Sequence, residues 1–420
     1  MPVRIAIVSN RFAPHIGGIE TQVALLAGEL THRGHNVTVL TRRYERSLSA
    51  REIRNRIRVE RFRPYGQGVL SKWLLNLSTF WRIVSRRPGF DCVLVTQFSA
   101  TALGPALANA IRGTPLILVT AEAGEFSGAI SSRSLGRIPG PLRFLLRRVL
   151  HGVRHWAYHR ARFVVAISTA LAREAEADGF PARCVVQIPN ALDTDRFRPV
   201  SPDEKLALRA ALGIPSDAQV VANVGRLVQG KGLPTLVDAW SRLARRHACA
   251  LLIIIGAGAG PTSPLDMEAR IRETVREAGI EEHVRLLGPR LDVERYLQAS
   301  DVFVFPSEAE GFGIALVEAM SCALPVLCGR IPGAASDLVT EGEHGLKFET
   351  GDAASLASQI ETLLDSGADR QRLGGAARKV VESRLGVGTV TDGYERLIRA
   401  AVARQTTAWV EGGVDETPPA

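Results

Sequence analysis

Short apolar runs recur along the chain, each closed by Gly, Pro or a polar turn residue, and longer stretches with helical spacing separate them. Strands buried on both faces read as near-continuous Val, Ile and Leu. This alternation therefore predicts an α/β fold of βαβ units with parallel sheets. RIAIVS (4–9) is the first run, and the loop NRFAPHIGGIE then carries Gly17 and Gly18 into a helix reaching about Arg33. Gly34 and His35 end that helix, and NVTVLT is the second strand. Residues 42–63 are dense in arginine and close on a short strand, IRVERFRP. SKWLLNLSTFWRIVSRR places Trp73, Leu74, Leu77, Phe80, Trp81 and Val84 roughly on one side of a helix with a basic end. CVLVTQ and PLILVT, FVVAIS (163–168) and CVVQIPN (184–190) complete the first series of strands.

A second series follows a polar break near residue 201. QVVANVGRL, CALLIIIG, VRLLGPR (284–290), Val302–Phe305, PVLCGR and GLKFE are its strands, and two closing helices reach about Ala403. Residues 405–420, with Gly-Gly and Pro-Pro, have the composition of a disordered tail. A chain of 420 residues with 46% hydrophobic residues supplies two full cores. No apolar run approaches the ~18 residues needed to cross a bilayer. RIAIVS starts so near the N-terminus that no signal peptide is expected before it. The five cysteines form no Cys-x-x-Cys pair and fall mostly in apolar patterns, as small core residues of a reducing compartment do. A cytoplasmic protein, soluble or bound to the inner face of the plasma membrane, is the expectation.

Charge adds a partner to this picture. Residues 1–200 hold 29 Lys and Arg against 13 Asp and Glu, whereas the remainder holds 23 against 30, within a net charge of +9. A strongly basic first half suits an anionic membrane surface, a lipid phosphate or a nucleic acid. No nucleic-acid module is recognisable, so nucleic acid is not expected. PLRFLLRRVLHGVRHWAYHRAR (141–162) is a basic amphipathic helix, which reads either as a membrane-docking surface or as an ordinary solvated face. His151, His155 and His159 recur within it at helical spacing, but no carboxylate or Cys lies near them in the sequence. No metal is expected there.

The candidate chemistry concentrates around VFVFPSEAEGFGIALVEAM (302–320), where a strand, a loop and a glycine-opened helix follow one another. Glycines at a helix start let backbone approach an anion, and free N–H groups with the helix dipole favour negative charge. Glu310 and Glu318 would repel phosphate, so they suit hydroxyl groups better. Together these features fit a nucleotide sugar. Earlier in the chain, GRLVQGKG supplies Gly-x4-Gly-Lys, but Gly232 stands where a P-loop needs Ser or Thr for magnesium, so an NTPase is not implied. Arg226 and Lys231 are two cations able to neutralise a departing diphosphate without a metal ion.

Glu310-x7-Glu318, set in PSEAEGFGIALVEAM, resembles the signature of the family-4 retaining glycosyltransferases (glycosyltransferase group 1), and the resemblance extends over nearly the whole chain. It implies the GT-B fold: two Rossmann-like, doubly wound domains facing across a cleft. The expected divisions are 1–195 for acceptor binding and 196–386 for nucleotide-sugar binding, with a helix at about 387–404 crossing back to the first domain. It further implies that Glu310 lies beside the donor sugar, that Glu318 holds the ribose hydroxyls, and that Arg226 and Lys231 contact the donor diphosphate. Gly225, Arg290, Gly311, Phe312, Gly313, Ile314 and Ala315 are carried over as donor-binding positions, as are Gly17 and Gly18 in the first loop. IPNALDTDRFRP is similar to the family's interdomain segment through Asn190, Asp193, Phe197 and Pro199, with Ala191 in place of the usual Gly. That match explains Asp193-Thr-Asp195 better than a metal-binding Asp-x-Asp does. One departure stands out: in VTAEAGEF, Glu122 occupies the position where the family usually has His beside the reacting sugar, with Glu125 nearby.

The resemblance thus implies metal-independent, retaining transfer of a sugar from a nucleoside-diphosphate donor to a hydroxyl of a glycan, lipid-linked or small-molecule acceptor. The nucleotide sugar is a co-substrate, and no cofactor is expected. Glu122 leaves open a nucleotide-sugar-binding protein that has lost transfer, and an epimerase of the same fold is the third reading.

Overall fold

The computed structural model describes residues 1–15, 17–63, 69–126, 140–260, 263, 266–331 and 333–403. The expected tail at 405–420 lies outside them. The chain divides into two compact units, one of residues 1–191 with the segment from Val387 onward, the other Leu192–Gly386.

The first unit holds β1 (Arg4–Ser9), β2 (Asn36–Arg42), β3 (Arg51–Arg54), β4 (Ile57–Phe62), β5 (Cys92–Thr96), β6 (Leu116–Val119), β7 (Phe163–Ala166) and β8 (Val185–Gln187). They form one sheet in the order β3-β4-β2-β1-β5-β6-β7-β8. All neighbours are parallel except the edge strand β3, which returns antiparallel on β4 through Asn55 and Arg56, both at positive φ. The sequence gives no sign of β3, because REIR is polar and almost fully exposed, leaving no apolar alternation to read. Ile5, Ile7, Val39, Leu94 and Ile117 are completely or nearly completely buried in this sheet, as the apolar runs predict.

The helix Val387–Val402 belongs to this unit, although the chain reaches it only after finishing the other. Its apolar stripe of Val390, Tyr394, Leu397, Ile398 and Ala401 joins the same core as Val23 and Leu30 of the helix Gly18–His32. Arg33 fastens the pair by donating to Asp392 at 2.5 Å and to Glu395 at 3.2 Å.

The second unit holds β9 (Gln219–Val224), β10 (Ala250–Ile255), β11 (Val284–Leu286), β12 (Val302–Phe305), β13 (Val326–Gly329) and β14 (Gly345–Phe348). Its sheet is wholly parallel, in the order β11-β10-β9-β12-β13-β14. Helices cover both faces, with Trp240 wholly buried against one and its indole N–H donating to the carbonyl of His283 at 3.0 Å. The strand order reverses at the β9–β12 pair. In open α/β sheets, the crevice beyond the carboxyl ends of the strands at such a reversal is where ligands bind. No helix among the described residues is long and apolar enough to cross a membrane.

Candidate functional site

β9 and β12 pair over only two residues, Val221 with Val302 and Ala222 with Phe303. The strands then part, and the buried Asn223 amide spans the opening by donating to the carbonyl of Val304 at 3.0 Å. The two loops that leave this fork carry most of the residues singled out from the sequence.

The first loop, after β9, runs through Gly225 and Arg226 to Lys231 and enters the helix Leu233–Leu243. Gly225 closes against the next strand so tightly that a Cβ on Gly256 would meet its carbonyl at 1.7 Å. The Arg226 side chain is exposed and forms no ion pair among the described residues. At Gly232 φ is +63°, and a Cβ there would lie 1.8 Å from the carbonyl oxygen of Pro306. Only glycine fits such a backbone contact. The turn is fixed further by the Glu308 amide, which donates to the carbonyl of Gly230 at 3.0 Å.

The second loop follows β12 from Pro306 to Gly313 and enters the helix Ile314–Ser321. Gly313 is its N-cap, with φ at +87°, and a Cβ there would press on the ring of Phe305 at 2.9 Å. Phe312 is buried, while Gly311, Ile314 and Ala315 are half-buried around the helix start. With no capping side chain at this start, the first backbone N–H groups of the helix remain available. Gly333 approaches from a third loop, where a Cβ would lie 2.8 Å from the carbonyl of Glu310.

Lys231 and Glu310 join the two loops as an ion pair, Nζ to Oε1, with both side chains about one-fifth exposed. The Ser307 hydroxyl lies 3.4 Å from the same Glu310 oxygen. Glu310 Oε1 is thus engaged by a cation, a contact that its sequence context alone does not suggest. Glu318 is elsewhere on the helix, with no hydrogen bond to Glu310. Burial pushes its carboxyl up to about 8, with Arg196 working against the shift and Glu294 adding to it. Arg196 is itself tied to Glu294 at 2.7 Å and to the carbonyl of Leu291 at 2.6 Å. Arg290, next to Leu291, is exposed, with its guanidinium 5.9 Å from the ring centre of Tyr296.

The remaining positions lie in the first unit. Gly17 caps the helix Gly18–His32 in an extended conformation (φ −174°) that any residue can adopt, so the glycine pair is not demanded by backbone strain. Glu20, one turn into that helix, is buried and lies 3.6 Å from His15. Glu122 is exposed in the loop after β6. Glu125 is buried instead. Its carboxylate accepts the Ala121 N–H at 2.7 Å, and burial pushes its carboxyl up to about 8 despite that bond. Sequence reasoning missed Asn223, Ser307 and Glu20. The signal for Asn223 is a lone amide inside the apolar strand QVVANV, since a buried polar group needs a specific partner.

Comparison with known proteins follows the same division. A family model described as Glycosyltransferase Family 4 matches residues 16–196, and one described as Glycosyl transferases group 1 matches residues 204–380. A D-inositol 3-phosphate glycosyltransferase of Acidothermus cellulolyticus is 26% identical over 434 residues, covering 97% of this chain and 92% of that protein. One of the same name from Corynebacterium efficiens is 32% identical over 236 residues, but the match spans only 53% of this chain and 54% of that protein. Among solved structures, Anabaena Alr3699/HepE in complex with UDP and glucose aligns with a TM-score of 0.74 at 23% identity, covering 95% of this chain and all of that one. Sucrose-phosphate synthase from Thermosynechococcus elongatus aligns with a TM-score of 0.77 at 22% identity, over 96% of this chain and 100% of that one. The architecture is therefore GT-B, and with matches running through both units the chain belongs to the family-4, group 1 glycosyltransferases.

Proposed function

We propose that this protein transfers a sugar, with retention of anomeric configuration, from a nucleoside-diphosphate sugar to an acceptor hydroxyl. The observation that carries the reading is the Lys231–Glu310 ion pair at the fork of β9 and β12. It holds a cation and a carboxylate between two glycine-shaped loops, beside a helix start whose N–H groups are uncapped. Arg226, Lys231 and the helix start at Gly311–Ile314 would neutralise the diphosphate as the glycosidic bond breaks, so the reaction needs no divalent ion. The leaving diphosphate then accepts the acceptor's proton. Glu310 would lie beside the donor sugar, and Glu318 would take the ribose hydroxyls; neither is assigned as a covalent nucleophile. The base is bordered by the Arg290 segment.

For the acceptor, two relatives are named for D-inositol 3-phosphate, and a third, from Corynebacterium glutamicum, for a monoacylated phosphatidylinositol monomannoside. Phosphorylated polyols and their lipid-linked forms head the acceptor panel for this chain. A lipid-linked acceptor would suit the first unit's surface. There the helix Val69–Ser85 packs on Leu103–Arg112, which in turn packs on the basic helix Gly140–Tyr158. Exposed Trp73, Leu77, Trp81, Ile111, Val149 and Trp156 stud these helices. Exposed tryptophans among arginines suit an anionic bilayer surface.

The test is a thermal-shift panel of UDP, GDP and ADP sugars, then mass spectrometry of products with the acceptor panel. Transfer should survive EDTA; a reaction silenced by chelation would overturn the metal-free mechanism. The exposed Glu122, where the resemblance implies His, favours one rival: a binding protein without transfer. That rival predicts donor binding with no product from any acceptor and no donor hydrolysis above background.

A further inference from the structure

One cluster of ligand-type side chains lies outside the loops described above. His155 belongs to the last turn of the helix Gly140–Tyr158, His159 follows directly after it, and Asp178 is the C-cap of the helix Thr169–Ala177. One ligand atom from each residue lies within 4.8 Å of the other two. The sequence shows only the histidines and no carboxylate near them; the fold supplies it by bringing Asp178 to their side. His159 Nε2 and Asp178 Oδ2 stand 3.8 Å apart, too far for a hydrogen bond. That nitrogen is buried and has no hydrogen-bond partner among the described residues. The orientation is nonetheless fixed, because the His159 ring stacks on Phe180 with centroids 4.3 Å apart and planes 10° from parallel. The His155 ring lies 4.0 Å from that of His159.

We propose that His155, His159 and Asp178 bind a transition-metal cation of the zinc class through two imidazole nitrogens and one carboxylate oxygen. The donor set decides the class: two nitrogens and one oxygen suit zinc and its neighbours, whereas magnesium and calcium prefer all-oxygen shells. Ligand–metal distances of ~2.0–2.2 Å bring tetrahedral ligand atoms closer together than the 3.8 Å between His159 Nε2 and Asp178 Oδ2, so binding draws that pair inward. His155 is exposed, which gives the ion an entry path and leaves its remaining positions to water. None of the three residues serves the proposed transfer. The ion acts as a clip between the end of the basic helix and the turn at Asp178, and it stabilises the first unit without taking part in the reaction.

The test uses the full chain, free of any histidine tag and stripped with a chelator, titrated with zinc chloride by calorimetry and followed by thermal melting. One zinc ion per chain and a raised melting temperature are expected. His155→Ala, which removes an exposed ring, and the isosteric Asp178→Asn should each weaken binding by at least about tenfold, the scale on which even outer-shell losses act. Circular dichroism of both variants reports whether they remain folded; if either does not, cobalt absorption of the wild-type chain, with its nitrogen and oxygen ligand bands, decides in its place. Absence of zinc uptake by the wild-type chain, or uptake undiminished in both folded variants, overturns the site.

Discussion

Lys231 and Glu310 form an ion pair that joins the loop after β9 to the loop after β12, where the second sheet reverses its strand order. On the proposed reading, in which Lys231 contacts the donor diphosphate, the carboxylate holds the lysine until that ligand competes for it. Removing the charge with Glu310→Gln frees the ammonium and removes a repulsion, so nucleoside diphosphate should bind more tightly, by about 1 kcal/mol, on the scale of a partly exposed pair. Transfer should fall nonetheless if Glu310 lies beside the donor sugar as proposed. Lys231→Ala should lower kcat by about 10²–10³, as loss of one preorganised donor does. Calorimetry with the diphosphate and single-turnover kinetics separate the two effects. A Glu310→Gln chain that binds more weakly would mean that the pair builds the site rather than gates it.

Glu318 sets a pH dependence of its own. Burial raises its carboxyl to about 8, against ~4.3 in an unfolded chain, with Arg196 opposing the shift and Glu294 reinforcing it. The folded protein therefore keeps a proton that the unfolded chain releases, and stability falls as pH rises from about 4.3 towards 8. If the ionised form receives the ribose hydroxyls, nucleotide affinity should rise over the upper part of the same interval. Glu318→Gln should flatten the affinity profile, measured by calorimetry at several pH values, and make the stability profile less steep in thermal melting, leaving the slope that the likewise raised carboxyl of Glu125 contributes. Affinity independent of pH in the wild-type chain would remove the carboxylate from the ribose site.

Both sheets and the glycine-opened helix after β12 were legible because buried parallel strands declare themselves as apolar runs. The Lys231–Glu310 pair was not. Each residue stood out by its local motif, but their meeting depends on β12 lying beside β9, which no local pattern encodes. Asp178 beside His159 is the same kind of relationship, created when two helix ends converge. The edge strand Arg51–Arg54 escaped for a different reason: it is held by its pairing with β4, without an apolar face.

Gly232 tests how rigidly the fork is built. Its φ of +63° and the 1.8 Å approach of a Cβ to the Pro306 carbonyl oppose any side chain. Gly232→Ala should destabilise the protein by about 2 kcal/mol or more, since the obstacle is backbone rather than a movable side chain. Lys231 would shift with the turn, so diphosphate affinity should fall along with the melting temperature. Wild-type affinity in a melted-down variant would separate the turn from the site.

The exposed tryptophans of the first unit predict a surface activity. Trp73 and Trp81, 50% and 59% exposed, should enter the headgroup layer of vesicles containing phosphatidylglycerol and bind neutral vesicles poorly. Replacing both with Ser should release the chain from sedimenting vesicles while leaving transfer to a water-soluble acceptor unchanged. High salt should weaken binding through its basic component. Equal binding to neutral and anionic vesicles, or none to either, would exclude the anionic bilayer as partner.

Glu122 and Glu125 share a loop but occupy opposite environments, one exposed and the other buried with its carboxyl raised to about 8. A residue that touches an acceptor must be reachable, which selects Glu122. Glu125, held by the Ala121 N–H, shapes the loop. If Glu122 accepts a hydrogen bond or a proton from the acceptor, Glu122→Ala should lower kcat/KM for transfer by about 10²–10⁴ while leaving diphosphate affinity intact. Glu125→Gln imitates the protonated acid that burial favours below pH 8, so it should retain most activity at neutral pH and lose less stability than the wild-type chain as pH rises from about 4.3 to 8. Glu122→His then asks whether the family's usual residue restores what Ala removed. Full transfer by Glu122→Ala would leave the position without a role in the chemistry and place acceptor activation entirely on the departing diphosphate.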